Sequence, residues 1–425
     1  MDAVILSIDA AVAHFLAHPL LYLSLPVISA IVGWGTNKMA LKMMFYPIEF
    51  IGIKPIFGWQ GIIPRKAEQM ASIAMETMLE KLVNVTEIFD RLDPDRVAGE
   101  IGEPLLKMTD QVVDEVMDAH QPGLWENLPK MVKNRIYKQV RADAPQIVSD
   151  MMREIRDNIE SVFDIRHMVI SNLTRDKALL NKIFIETGEK EFKFIEKSGI
   201  YFGFLFGTIQ MLVFMFYKGP WVLPIAGLLI GYLTNWIALK LIFKPRNPIK
   251  IGPVVFQGLF LKRQKEVARD YGSLIAAEIL TPSNMIQEVL EGPMSDNLYR
   301  MIEKHVKDAV DEQAGITKPF VTMTVGTGKY REMKGAISTA FMKHMPAALE
   351  HIKEYTADAM DLKNTIGDRM ENLTSEEFEG MLRPAFEQDE WMLIGIGAVL
   401  GFCVGTAQFV FMFAPTMLEA AKAAM

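Results

Sequence analysis

The side chains best suited to chemistry in this 425-residue sequence sit inside apolar runs. Thr36, Asn37 and Lys42 lie in VGWGTNKMALKMMFYP, and Thr234, Asn235 and Lys240 lie in IGYLTNWIALKLIFKP. A carboxamide in hydrocarbon is costly unless its donors and acceptor find partners, so both asparagines are expected to face protein or water. Two kinds of chemistry suit them. Thr and Asn can tie helices together, each bond contributing about 1 kcal/mol or less, with a two-fold relation bringing Asn37 and Asn235 together near the centre. Alternatively the two pairs line a polar site for an ion, a lipid head group or a small solute, with Lys42 and Lys240 a turn or so nearer the surface.

Catalytic chemistry has fewer residues to work with. His14 and His18 are spaced to share a helix face but lack a third ligand, and His120, His167, His305, His344 and His351 form no ligand-like cluster. The stretch VGTGKY from Val325 is spaced like part of a phosphate loop, yet Met323 stands in the place of the first glycine and Tyr330 in that of the Ser/Thr. The single cysteine, Cys403, lies in an apolar run, which excludes an internal disulfide or thiolate zinc site. No carboxylate pair stands out. Neither an enzyme nor a resident metal or cofactor is expected.

The elements that must position these residues are membrane helices. Half of the residues are apolar, and four runs reach the roughly 20 residues that a bilayer core requires: Leu20 to Phe45, Gly199 to Tyr217, Trp221 to Phe243 and Trp391 to Phe413. Residues 1–19, with Asp9, His14 and His18, read as an interfacial helix, and residues 418–425 as a tail. The first 37 residues contain no Lys or Arg, so the basic region of a cleavable signal peptide is missing and the start is expected to stay on the protein. The net charge of −7 disfavours nucleic acid as a partner.

The runs fall into two copies of one unit. Pro26, Gly33, Thr36, Asn37, Ala40, Leu41, Lys42, Phe45 and Pro47 recur 198 residues later as Pro224, Gly231, Thr234, Asn235, Ala238, Leu239, Lys240, Phe243 and Pro245. Each is followed by a Pro/Gly-rich apolar connector that ends in Gln-Gly and a basic pair. Trp59, Gln60 and Gly61 close the first connector, and Gln257 and Gly258 the second. Such connectors cannot be continuous helix, and two places suit them equally: the membrane interface, or a loop packed under the helical segments. GFLFGTIQ from Gly203 matches GFCVGTAQ from Gly401. The sequence therefore predicts an all-α polytopic protein built of two tandem repeats of the same orientation, 20–218 and 219–417. Each repeat holds one span, a long amphipathic helical segment (66–197 or 263–389) and a second span. Val148, Met152, Ile155, Ile159 and Val162 form an apolar stripe in the first segment, and Leu349, Ile352 and Ala359 one in the second, interrupted by Thr356. Glycines spaced by four, Gly203 and Gly207, Gly227 and Gly231, and Gly397, Gly401 and Gly405, predict close helix approach.

Together the Thr-Asn span, the Gln-Gly-basic connectors and the GFxxGTxQ exit resemble the domain-of-unknown-function 445 family of bacterial membrane proteins, which includes the YheB-like proteins. The resemblance runs from about Pro26 to Phe413. It implies a multi-pass bacterial membrane protein with long helical segments and leaves reaction and ligand open. Lysines and arginines crowd the side that carries the helical segments, so the positive-inside rule predicts an inner-membrane protein with those segments in the cytoplasm. The expected role is structural or interactive, with membrane lipid, a second copy of the chain and a cytoplasmic protein as partners. A transporter, channel or lipid-handling protein built around the Thr-Asn pairs is the alternative.

Overall fold

The structure, a computed structural model, describes residues 7–53, 57–217, 219, 221–314, 326–383 and 390–423. Lys54 and Ile56 of the first connector, Lys218, and Met323 and Val325 of the phosphate-loop-like stretch lie outside them. The described residues are almost entirely helical. The chain forms two units: one takes residues up to Ala74, Leu173–Tyr271 and those from Asp368 onward, the other Met75–Asn172 and Gly272–Gly367.

In the first unit four helices are long and apolar enough to cross a membrane: Pro19–Phe45, Glu189–Phe216, Val222–Phe243 and the Glu390–Phe411 part of Glu390–Ala423. At about 1.5 Å per residue even the 22-residue third helix exceeds the roughly 30 Å of a hydrocarbon core. Two of them outrun the boundaries expected from hydropathy. The second begins ten residues before Gly199, and the fourth continues through most of 418–425. Glu, Lys and Ala are good helix formers, so the backbone spiral does not stop where the apolar run does.

The first helix packs along the second and the third along the fourth, and these are the two most extensive pairings in the chain. Leu25, Ser29, Gly33, Thr36, Asn37, Ala40 and Met44 form the buried face of the first helix. Its opposite face exposes Leu20, Leu23, Val27 and Ile31. Polar side chains inside and large apolar ones outside reverse the order of a protein in water and suit a hydrocarbon solvent. A shorter helix, Ile8–Ala17, precedes the first, its start capped by the Ser7 hydroxyl.

The connectors depart from an all-helical chain. After Pro47 the strands β1 (Ile51–Ile53) and β2 (Phe57–Trp59) pair antiparallel, with Ile51 opposite Trp59. After Pro245, β3 (Ile249–Ile251) and β4 (Val254–Phe256) do the same, with Ile249 opposite Phe256. Gly252 takes a φ of 61° in the two-residue turn between β3 and β4, a conformation glycine adopts without steric cost.

In the second unit, helices from both long segments build one core. Gly102–His120 packs on Thr327–Leu349, and Ser295–Ala314 packs on both Thr327–Leu349 and Lys130–Asp157. Val148, Ile155, Ile159 and Val162 of the first stripe are buried, as are Ile352 and Thr356 of the second. Neither stripe lies on one long helix: the first passes from Lys130–Asp157 into a 3₁₀ turn, Ile159–Ser161. The expected segments 66–197 and 263–389 are strings of shorter helices, and their ends belong to the first unit.

Candidate functional site

The Thr-Asn pairs are held on buried helix faces, and each asparagine reaches the neighbouring helix. Asn37 Nδ2 donates to the Ile195 carbonyl at 2.7 Å, and Asn235 Nδ2 donates to the Leu393 carbonyl at 2.9 Å. Both bonds join residues 158 apart in the chain. The threonines bond within their own helices: Thr36 Oγ1 donates to the Gly33 carbonyl (3.1 Å) and Thr234 Oγ1 to the Ile230 carbonyl (2.8 Å). All four side chains are buried. Asn37 Oδ1 is buried without a hydrogen-bond partner.

Glycines make room for these bonds. A Cβ at Gly397 would overlap Asn235 Nδ2, and one at Gly231 would overlap the Gly397 carbonyl oxygen. Gly33 and Gly199 block one another's Cβ position in the same way. Gly203 and Gly207 lie against Ser29, Gly227 and Gly401 against each other, and Gly405 against Leu223. Every glycine of the expected ridges therefore meets another helix of this chain. The Gly397–Gly405 ridge, which in the sequence suggested a partner helix, is covered by the third helix.

This geometry separates residues that the sequence grouped. No hydrogen bond joins Asn37 to Asn235: each donates within its own tight helix pair instead. Lys42 and Lys240 are exposed and take no part in the polar cluster. Five residues at about 100° each carry Lys42 some 140° around the helix from Asn37. The Lys240 ammonium instead lies 4.1 Å from the Trp236 ring centre, a cation–π contact.

The connector residues close their hairpins onto the helix ends. Gly61 N–H donates to the Pro47 carbonyl (2.8 Å) and Gly258 N–H to the Pro245 carbonyl (3.0 Å). Gln60 Nε2 donates to the Ile48 carbonyl at 2.7 Å, Gln257 Nε2 to the Arg246 carbonyl at 3.2 Å, and Trp59 Nε1 to the Met43 carbonyl at 3.2 Å. Ile51, Ile53, Ile249, Val255 and Phe256 stay exposed.

Several polar residues were not legible as a site. Asn181 is buried and donates to the Phe45 carbonyl at 2.6 Å. Arg263 joins the buried Glu191 at 2.5 Å and Glu266 at 2.8 Å, and Glu266 also binds Lys190. Hydrogen bonds from Arg263 and then Lys190 pull the Glu266 carboxyl down to about 2. Arg246 and Arg383 both bind the buried Glu379. Among these only Arg246 and Arg263 carried a signal, as basic residues flanking a connector. Among the described residues no three His, Cys, Asp or Glu side chains gather as a metal site. His14 accompanies His18 at 4.9 Å between ring centres and bonds Tyr22 Oη at 2.9 Å. A cleft of about 400 Å³ between the second and third helices is lined by Ile209, Gln210, Val213 and Leu229 among others, and by neither asparagine.

Residues 225–377 match the family model described as "Protein of unknown function (DUF445)". A UPF0754 membrane protein of Staphylococcus epidermidis is 26% identical over 177 residues, covering 36% of this chain and 45% of its own. One from Bacillus thuringiensis subsp. konkukian is 25% identical over 170 residues (39% and 44%), and one from Cyanothece sp. is 33% identical over 92 residues (21% and 23%). The chain thus spans less than half the length of the curated relatives it matches. No solved structure matches it.

Proposed function

We propose, for this membrane protein of the DUF445 family, a structural and interaction role without a reaction of its own. The four apolar helices cross the bacterial inner membrane as two tandem repeats of one orientation, and the helical segments between them stand together in the cytoplasm. The observation that carries this reading is the use to which the asparagines are put. Each amide donates across to the neighbouring helix, Asn37 to the Ile195 carbonyl and Asn235 to the Leu393 carbonyl, and Gly397 lies directly against the Asn235 amide. Polar groups spent on packing hold helices together; they are not displayed to a solute. The equal spacing of the two bonds supports the duplication, and the basic residues following Asn37 and Asn235 support the cytoplasmic orientation.

Self-association belongs to the same proposal. With the glycine ridge occupied, its support moves to the second unit, where Leu124, Met131 and Val132 are exposed apolar side chains. A transport role is the second reading, favoured by the unpaired Asn37 Oδ1 and Gln210 Nε2 in the buried interior. Single-particle imaging of Asn37→Leu and Asn235→Leu, with flux assays in vesicles, separates the two. The structural reading expects a closed multi-chain assembly in the native protein that is weakened in both variants. Flux lost from an intact assembly would establish transport, and a monomer in mild detergent would remove self-association.

A further inference from the structure

The second unit is not filled. Its helices line one half-open cleft of about 110 Å³, with Leu105, Met108, Met151, Met345 and Thr356 among its walls. A second, of about 280 Å³, is lined by Val113, Val116, Val140, Ile147 and Ile337 among others. Phe341 lines both. The larger cleft has nearly twice the volume, about 150 Å³, of an engineered apolar cavity that takes up benzene. Water needs two to four polar partners in such a place, and few are offered here. Thr109 Oγ1 already donates to the Leu105 carbonyl at 2.7 Å, and Asp143 is half-exposed. Thr356 differs: it is 5% exposed, and its hydroxyl has no hydrogen-bond partner.

We propose that these two neighbouring clefts, which share Phe341 as a wall, bind a single acyl chain, with the Thr356 hydroxyl donating to the carbonyl oxygen at its polar end. Two apolar clefts on either side of one aromatic side chain suit a flexible unbranched hydrocarbon better than a rigid ring. The methionines of the lining, flexible and polarizable, can follow such a chain along its length. The orphaned hydroxyl gains the acceptor that the protein does not supply. A protein of the membrane has acyl chains at hand, either as free fatty acid or as phospholipid.

The test uses the full chain in phospholipid nanodiscs, illuminated with palmitic acid carrying a terminal diazirine, and in a parallel arm with a phosphatidylcholine carrying the same group. The proposal expects label in Gly102–His120, Lys130–Asp157 and Thr327–Leu349 that excess unlabelled palmitate displaces. Labelling by the free acid alone identifies a fatty acid, and labelling by both probes identifies membrane lipid as the source. Ala144→Phe and Ala348→Phe, which fill one cleft each, are expected to abolish that label with the thermal melt retained. The isosteric Thr356→Val is expected to lower it about fivefold, the value of one lost hydrogen bond. Label confined to the four apolar helices, label that palmitate does not displace, or unchanged labelling of a folded Ala144→Phe or of Thr356→Val overturns the proposal.

Discussion

The contact between Asn235 and Gly397 shows how strongly one buried amide constrains its neighbour. The amide and the Gly231 carbonyl oxygen together occupy the space a Cβ would need, so the glycine there is set by the facing helix rather than by its own backbone conformation. Gly397→Ala should therefore cost about 1–3 kcal/mol through overpacking, whereas Asn235→Ala loses an interhelical bond of about 1 kcal/mol or less. The double variant should recover only part of the glycine's loss, because the methyl group takes the space the amide has left but still meets the Gly231 carbonyl oxygen. Thermal melts of the four proteins in one detergent measure this coupling. Strictly additive effects would mean that the two residues do not share that space.

At the scale of elements, apolar length located the four long helices, and four-residue glycine spacing marked their close faces, because only glycine allows carbonyls of neighbouring helices so near. The acceptors for Asn37 and Asn235 were invisible in the sequence, since a backbone carbonyl belongs to every residue type. The hairpins were legible only as places where helix stops: strands of three residues are too short to show an alternating pattern. The clamp around Glu266 was equally hidden, as it ties the start of Gln264–Glu278 to Lys190 and involves residues distant in sequence. Its carboxyl titrates near 2 rather than at the usual 4.5, so its stabilising effect is complete above pH 4.5 and fades as pH falls toward 2. Glu266→Gln should melt below the native protein at pH 7, with the gap closing through that acid window. A gap independent of pH would show that packing, not charge, is involved.

For the whole molecule, the proposed arrangement places Lys138 in the first helical segment and Lys329 in the second on one side of the membrane. Single cysteines at these positions, in a Cys403→Ala background, should both be blocked from a membrane-impermeant maleimide in intact cells and react once the inner membrane is opened. Opposite accessibility would break the same-orientation repeat. The bond from Asn37 to Ile195 also bears on how such a chain is made. Its acceptor lies 158 residues downstream, so at about 5–20 residues per second a ribosome needs roughly 8–30 s to deliver it. In the proposed membrane arrangement the first helix enters the bilayer before its partner exists, and its amide has to find water, lipid or insertion machinery as a stand-in until the second helix emerges.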